Sequence, residues 1–345
     1  MRVDVSEFGQ VESNTVEVFT LQNSQGMQVE ILTYGGIIHR IAMPDGKGNI
    51  HDCVQSYSDI NGYVEDPSYR GAIVGRFANR IGHGTFALNG IRYELDQNGG
   101  DHNLHGGLAG FHKKLWKGTA IQSDTAVGVE LTLTSEDGEG GFPGNLEITA
   151  IYTLSDSNTL TLTMQAKTDA PTPISMTQHA YFTLSKSDSV ESTSLFINAS
   201  QITEADATLL PTGKLVDVAN TPFDFTTSTM ISERSQGTGR GAMPLYDMVG
   251  GYDHNYVVNQ DDTNTPQAVV YASDTGIEME LQTNLPGIQF YTGSLNSSPQ
   301  LGALCLEPQH FPDAPNRPEF PNCIATPDKP FEAVISYQFA LKNKQ

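Results

Sequence analysis

Several short stretches of this 345-residue sequence hold side chains able to grip a small polar molecule or move its protons. In "CLEPQHFPDAPN", residues 305–316, an apolar run leads into Glu307 and Pro308 then prevents a helix from continuing. The carboxylate is therefore expected at a strand end in apolar company. Burial there raises its pKa towards neutrality, which suits a general base. A salt bridge to Arg80 or Arg317 would use the same residue types. In "SMTQHAYFTL", residues 175–184, a strand would put His179 and Tyr181 on one face. Imidazole supplies a proton near neutral pH, and the phenol adds a flat ring with a polar tip. A histidine satisfied inside a polar network is the bland alternative.

Four further segments supply polar side chains. "GRFANRIGHGTF" sets Asn79 and Arg80 among glycines, either as donors to hydroxyl oxygens or as an arginine tying a loop to a carboxylate. "GGDHNLHGG" carries His102 and His105, whose ring nitrogens can touch a ligand or brace the loop. Their spacing also suits part of a zinc site, but the sequence puts no third ligand beside them, so no metal is expected. An extended "GGYDHNYVV" turns Asp253 and His254 to opposite faces, leaving one of them for a pocket. Asp253 could accept from two adjacent hydroxyls or simply begin an Asx turn. In "NLPGIQFYTGS" packing explains the aromatic residues, and Gln289 is the residue it does not explain.

These side chains need a frame, and the rest of the sequence specifies strands. "VEVFTLQN", "MQVEILTYGG", "GVELTLTSED" and "NTLTLTMQAKTD" alternate apolar with polar residues and favour β-branched types. Asn89-Gly90, between two such runs, suits a tight hairpin turn. "AIYTLSDSNTLTLTM" predicts another hairpin with a slightly longer loop. Helical periodicity is almost absent. The 33 glycines and 18 prolines are spread along the chain, so residues 1–345 are expected to form one domain. Antiparallel sheets must bury an apolar face against another layer, which predicts an all-β fold, a large antiparallel β-sandwich. Function in such a fold gathers on loops or on one concave sheet face.

Composition narrows the ligand. With 38% hydrophobic and 17% charged residues the chain reads as a folded soluble protein, and no stretch approaches the ~20 apolar residues of a membrane span. "MRVDVSEFGQ" carries acids and lacks the apolar stretch of a secretory signal, so a cytoplasmic location is expected. The three cysteines, Cys53, Cys305 and Cys323, show no paired spacing and are expected as buried thiols. A formal charge of −21 opposes binding to nucleic acid but not to a neutral small molecule.

In this order, "GRFANRI", "NLHGG", "QHAYF", "GYDHNY", "QFYTG" and "LEPQHFPDAPN" closely resemble the aldose 1-epimerase (galactose mutarotase) family, over roughly residues 30–340. The resemblance implies one large galactose mutarotase-like β-sandwich that binds a free aldose in a cleft on one sheet, with no cofactor. It implies Glu307 as general base and His179 as general acid. It further implies that Asn79, Arg80, His105, Asp253 and Gln289 hold the sugar's hydroxyls and ring oxygen, with Tyr181 nearby. Thr183 stands where the family usually has Asn, which puts a supporting contact in question. Three rival readings stay open. A glycoside hydrolase would pair Asp253 with Glu307. A sugar-binding module would need no catalytic pair. A hexose-phosphate epimerase would want several arginines, where Arg80 is the one good candidate. The preferred aldose, and whether the chain is a monomer or homodimer, stay open.

Overall fold

The computed structural model of the chain describes residues 1–45, 49–236, 244–259, 265–294 and 302–342. Its largest element is a nine-stranded antiparallel sheet that includes Ala126–Ser135, Leu146–Ser155, Thr159–Thr168, Phe331–Leu341 and Ile277–Thr283. Alternation of side chains decides its layering. In Phe331–Leu341 the residues Phe331, Ala333, Ile335, Tyr337 and Phe339 are buried, while Glu332, Val334 and Gln338 are exposed.

The buried face joins one continuous apolar cluster with residues from two five-stranded sheets. Leu21 and Ile31 come from the N-terminal sheet, and Ile288, Phe290 and Leu306 from a sheet in the C-terminal half. Each fully buried Leu, Ile or Phe contributes roughly 1.5–3 kcal/mol, so this shared layer is what holds the sheets face to face. The all-β class and stacked antiparallel sheets expected from alternation are what the chain forms. Among the described residues the three α-helices Ile60–Val64, Ile231–Ser235 and Pro244–Val249 are short, and no helix is long and apolar enough to cross a membrane.

Local turn chemistry follows the sequence. Thr85–Leu88 pairs with Ile91–Glu94 around Asn89 (φ 52°) and Gly90 (φ 78°), the two positive φ values of a tight hairpin turn. Leu146–Ser155 and Thr159–Thr168 form the second expected hairpin. All three cysteines are buried free thiols.

Two local expectations need correction. Of residues 175–184 only Thr177–Gln178 lies in a strand, paired with Ile73–Val74, with isolated bridges at Ser175 and Phe182. The backbone there bonds group by group to separate partners, such as His179 N–H to the Ala72 carbonyl and Gly71 N–H to the His179 carbonyl, so no continuous ladder forms. Glu307 lies in the middle of the strand Cys305–Gln309 and not at its end. Pro308 is tolerated because this strand is the edge of its sheet, where a missing N–H breaks no ladder on the open side.

Candidate active site

The sheet that carries the site runs in the order Pro211–Asp217, Gln201–Ala205, Gly251–Val257, Gly287–Ser294, Cys305–Gln309. Its register places Tyr291 between Asp253 and Cys305, and Gln289 between Asn255 and Glu307. Successive residues point to opposite faces, so these two cross-strand rows share one face. The alternate positions Tyr252, Tyr256, Ile288, Phe290 and Leu306 enter the main core. One face of three strands thus delivers a polar patch, and the other anchors it.

Above the patch lies a cavity of about 230 Å³ lined by His179, Glu307, Tyr181, His105, Arg80, Asn79, Asp253, Tyr291, Tyr69, Ser68, Pro67 and Leu104. His179 and Tyr181 do share a face, with ring centroids 5.2 Å apart and near-parallel planes. Tyr69 also stacks on His179, with centroids 6.0 Å apart. The Tyr181 hydroxyl donates to the Ser68 carbonyl at 2.9 Å, so this phenol braces the wall.

A loop crossing places Asn79 and His105. Both adopt left-handed backbone, with φ of 63° and 52°. Asn79 N–H donates to His105 Nδ1 at 3.2 Å, and His105 N–H donates back to the Asn79 carbonyl at 3.0 Å. The pair therefore stabilises its own unusual conformations. Gly106, next in sequence, has φ +88°, and a Cβ there would lie 2.0 Å from the Gly75 carbonyl oxygen. Only glycine lets these two loops approach so closely. Arg80 is half-buried and faces the cavity, while Arg76 of the same "GRFANRI" segment is buried and donates to the carbonyls of Ser135, Glu136, Pro143 and Gly144.

Glu307 and His179 meet at the cavity wall, with His179 Nε2 3.6 Å from Glu307 Oε2. Glu307 is 2% exposed, and among the described residues its Oε2 has no hydrogen-bond partner. Burial, reinforced by the nearby Asp253 charge and opposed by Arg80, holds its carboxyl well above the usual carboxylate range. Burial pushes His179 down to about 4. The Arg317 alternative fails because that guanidinium pairs with Asp313 at 3.0 Å. Arg80 acts on Glu307 as a nearby charge, with no ion pair between them among the described residues.

Gln289 is placed differently from the sugar contact the resemblance implies. It is buried and absent from the cavity lining; its amide donates to Asp253 Oδ1 at 2.6 Å, and its carbonyl accepts from Gln309 at 3.3 Å. Gln309 also donates to Asn255 at 3.2 Å, so a buried amide chain orients the Asp253 carboxylate, which lines the cavity together with Arg80 and Glu307. His254 points away, packed on Phe223 with centroids 4.3 Å apart. His102 also lies outside the cavity and accepts His83 N–H at 3.1 Å. Thr183 is likewise not at the cavity; its carbonyl meets His51 Nε2 at 2.7 Å. Tyr69 and Ser68 escaped the sequence reading, since "DPSYRG" shows nothing but a turn.

His105, His179 and Glu307 each offer a ligand atom within 4.8 Å of the others. Around a tetrahedral zinc such atoms lie about 3.3 Å apart, given bonds of about 2.0–2.1 Å to nitrogen. Moreover His105 spends Nδ1 accepting a backbone N–H, which leaves Nε2 as the protonated, donating nitrogen. The set suits oxygen atoms that accept hydrogen bonds better than it suits a cation.

The aldose 1-epimerase family profile matches residues 17–338. The chain belongs to the aldose 1-epimerase family. It is thereby an isomerase acting on sugars. Bovine galactose mutarotase is 33% identical over 341 residues, 95% of each chain. Aldose 1-epimerase of Escherichia coli K12 is 32% identical over 335 residues, covering 93% of this chain and 94% of that one. Among solved structures, galactose 1-epimerase from Lactobacillus acidophilus superposes with a TM-score of 0.87 at 25% identity over 99% of both chains. An aldose epimerase homologue from C. elegans gives 0.85 at 28% identity, over 94% of this chain and 99% of that one. For this epimerase family member, the cavity beside Glu307 and His179 brings a facing acid and base group to a hollow of about 230 Å³.

Proposed function

We propose that this protein interconverts the α and β anomers of free aldoses such as galactose and glucose, with Glu307 as base and His179 as acid. The observation that carries this reading is the 3.6 Å approach of His179 Nε2 and Glu307 Oε2 at one wall of a 230 Å³ cavity.

Ring opening requires two proton movements. Glu307 takes the proton of the anomeric hydroxyl, and that bond's electron pair forms the aldehyde C=O. The bond from the anomeric carbon to the ring oxygen breaks, and the ring oxygen receives the proton of His179 Nε2. After rotation beside the aldehyde, both transfers reverse on closure from the other face.

Before opening the pair is carboxylate and imidazolium; afterwards it is carboxylic acid and imidazole. Both states hold the same number of protons. Burial favours the neutral state, as the opposite shifts of the two groups record. The site therefore needs no proton from solvent during a cycle.

Asp253, held by Gln289, accepts from sugar hydroxyls, while Arg80, Asn79 and His105 donate to sugar oxygens, and Tyr69, Tyr181 and Tyr291 wall the ring. A phosphate would meet Asp253 and Glu307 with Arg80 as the one arginine or lysine in the lining, which supports a free sugar over a sugar phosphate.

Polarimetry of freshly dissolved α-galactose and α-glucose tests this. The purified chain should accelerate the decay and Glu307→Gln should not. A parent protein without effect on any aldose among galactose, glucose, xylose and arabinose overturns the reading.

A further inference from the structure

A positive charge appears on His179 in every cycle, because this ring carries the proton that the sugar's ring oxygen receives. Nδ1 keeps its hydrogen throughout, and Nε2, 3.6 Å from Glu307 Oε2, gives one up and regains it. Burial opposes the charge and holds the imidazole at about 4. The Glu307 carboxylate offsets part of that opposition. On the Nδ1 side the contact is the sulfur of Cys305 at 3.7 Å, a weak acceptor. The ring faces have more to offer. His179 stacks on two tyrosine rings, Tyr181 at 5.2 Å with planes 22° apart and Tyr69 at 6.0 Å with planes 28° apart. An aromatic face is negative, so a cation over it within about 6 Å is stabilised, and more so away from water.

The two tyrosines are not equivalent. The Arg70 guanidinium lies over the Tyr181 ring, 5.3 Å from its centroid, and over the Tyr57 ring at 4.7 Å. Arginine keeps its charge at any working pH, so an imidazolium on the Tyr181 ring shares that ring with a cation already present. No arginine or lysine lies over the Tyr69 ring among the described residues. Tyr69 is held in place, in left-handed backbone with φ 58° and with its hydroxyl accepting from Asn98 Nδ2 at 3.2 Å. His105 and His112 also meet the Tyr69 ring, each at 4.5 Å, but at 58° and 65° to it and not stacked. Of these three histidines, His179 is the one in ion-pair contact with a carboxylate among the described residues.

We propose that Tyr69 is a positioning residue whose ring face stabilises the imidazolium of His179 and so raises the share of bound complexes that hold the reactive charged pair. This deepens the reading of His179 as the acid and rests on it. Sugar binding draws mainly on the neutral resting pair, so the contribution falls on kcat and not on KM.

Phenylalanine, difluorophenylalanine and pentafluorophenylalanine at position 69 of the full chain keep the outline of the ring while draining charge from its face. Tyr69→Phe, which gives up the Asn98 hydrogen bond, is the reference. From it kcat on α-galactose should fall in steps, by about fivefold at pentafluorophenylalanine, with KM held within about twofold. A packing role would leave kcat level across rings of one outline. An active parent with kcat level across the series, or a series in which KM alone rises because the ring touches only the sugar, overturns the proposal and leaves the function standing. A parent without effect on any aldose overturns both. Should the pentafluorophenylalanine protein not fold, the smaller step at difluorophenylalanine, about twofold, decides it.

Discussion

In the sheet register Gln289 stands directly across from Glu307, yet its amide reaches sideways to Asp253 Oδ1 at 2.6 Å. Among the described residues Glu307 Oε2 is thus left without a donor, and its carboxyl is held above the usual range while Asp253 is the one that the amide ties down. Burial raises both carboxyls, and the Gln289 amide works against that rise at Asp253 alone.

Gln289→Leu should free Asp253 to turn. Loss of a hydrogen bond to a charged group is worth about 1.5–3 kcal/mol, so KM should rise about tenfold or more with a smaller change in kcat. Steady-state kinetics on α-galactose checks this, and an unchanged KM would show that Asp253 is held by other means.

Glu307→Gln should lower turnover by about 10²–10⁴. Because the carboxyl is buried with Oε2 unpartnered, an amide of the same shape should leave the thermal midpoint near neutral pH equal or higher. Polarimetry and a calorimetric scan on the same sample separate the two effects; joint loss of activity and fold would contradict it.

The pH profile follows from the signs of the shifts. His179 titrates at about 4, so falling pH adds a second proton to the pair well below the ordinary histidine range. Glu307 is raised, so rising pH removes the pair's last proton well above the ordinary carboxylate range. Accordingly kcat/KM should show no acid limb at the ordinary histidine value of about 6.5. A limb there would show that His179 is not held neutral.

Acid should unfold the chain through its buried imidazoles. His112, His179 and His310 are held at about 4 and His254 at about 3, all by burial. Their folded pKa values are depressed, so the unfolded state binds more protons below about 6.5 and stability falls as pH falls from there towards about 4. At pH 5 each contributes a loss of about 2 kcal/mol. Urea midpoints at pH 7.5, 6 and 5 should decline steeply; a flat series would refute the burial of these rings as neutral groups.

What the sequence determined by itself was whatever depends on neighbours along the chain. Alternation set which face of Phe331–Leu341 enters the core, and Asn89-Gly90 specified a turn, because side-chain direction and backbone φ are local properties. The same period-two logic set Asp253 apart from His254 and Gln289 apart from Phe290, as the strand register bears out. Only the tertiary structure decided their company. The register that sets Glu307 beside Gln289, the loop crossing that locks Asn79 to His105, and the approach of Cys305 and Glu307 to opposite nitrogens of His179 join residues far apart in sequence. The depth of burial that moves the pKa values of Glu307 and His179 in opposite directions is likewise a property of the packed whole, since desolvation depends on every layer around a group and not on its neighbours in the chain.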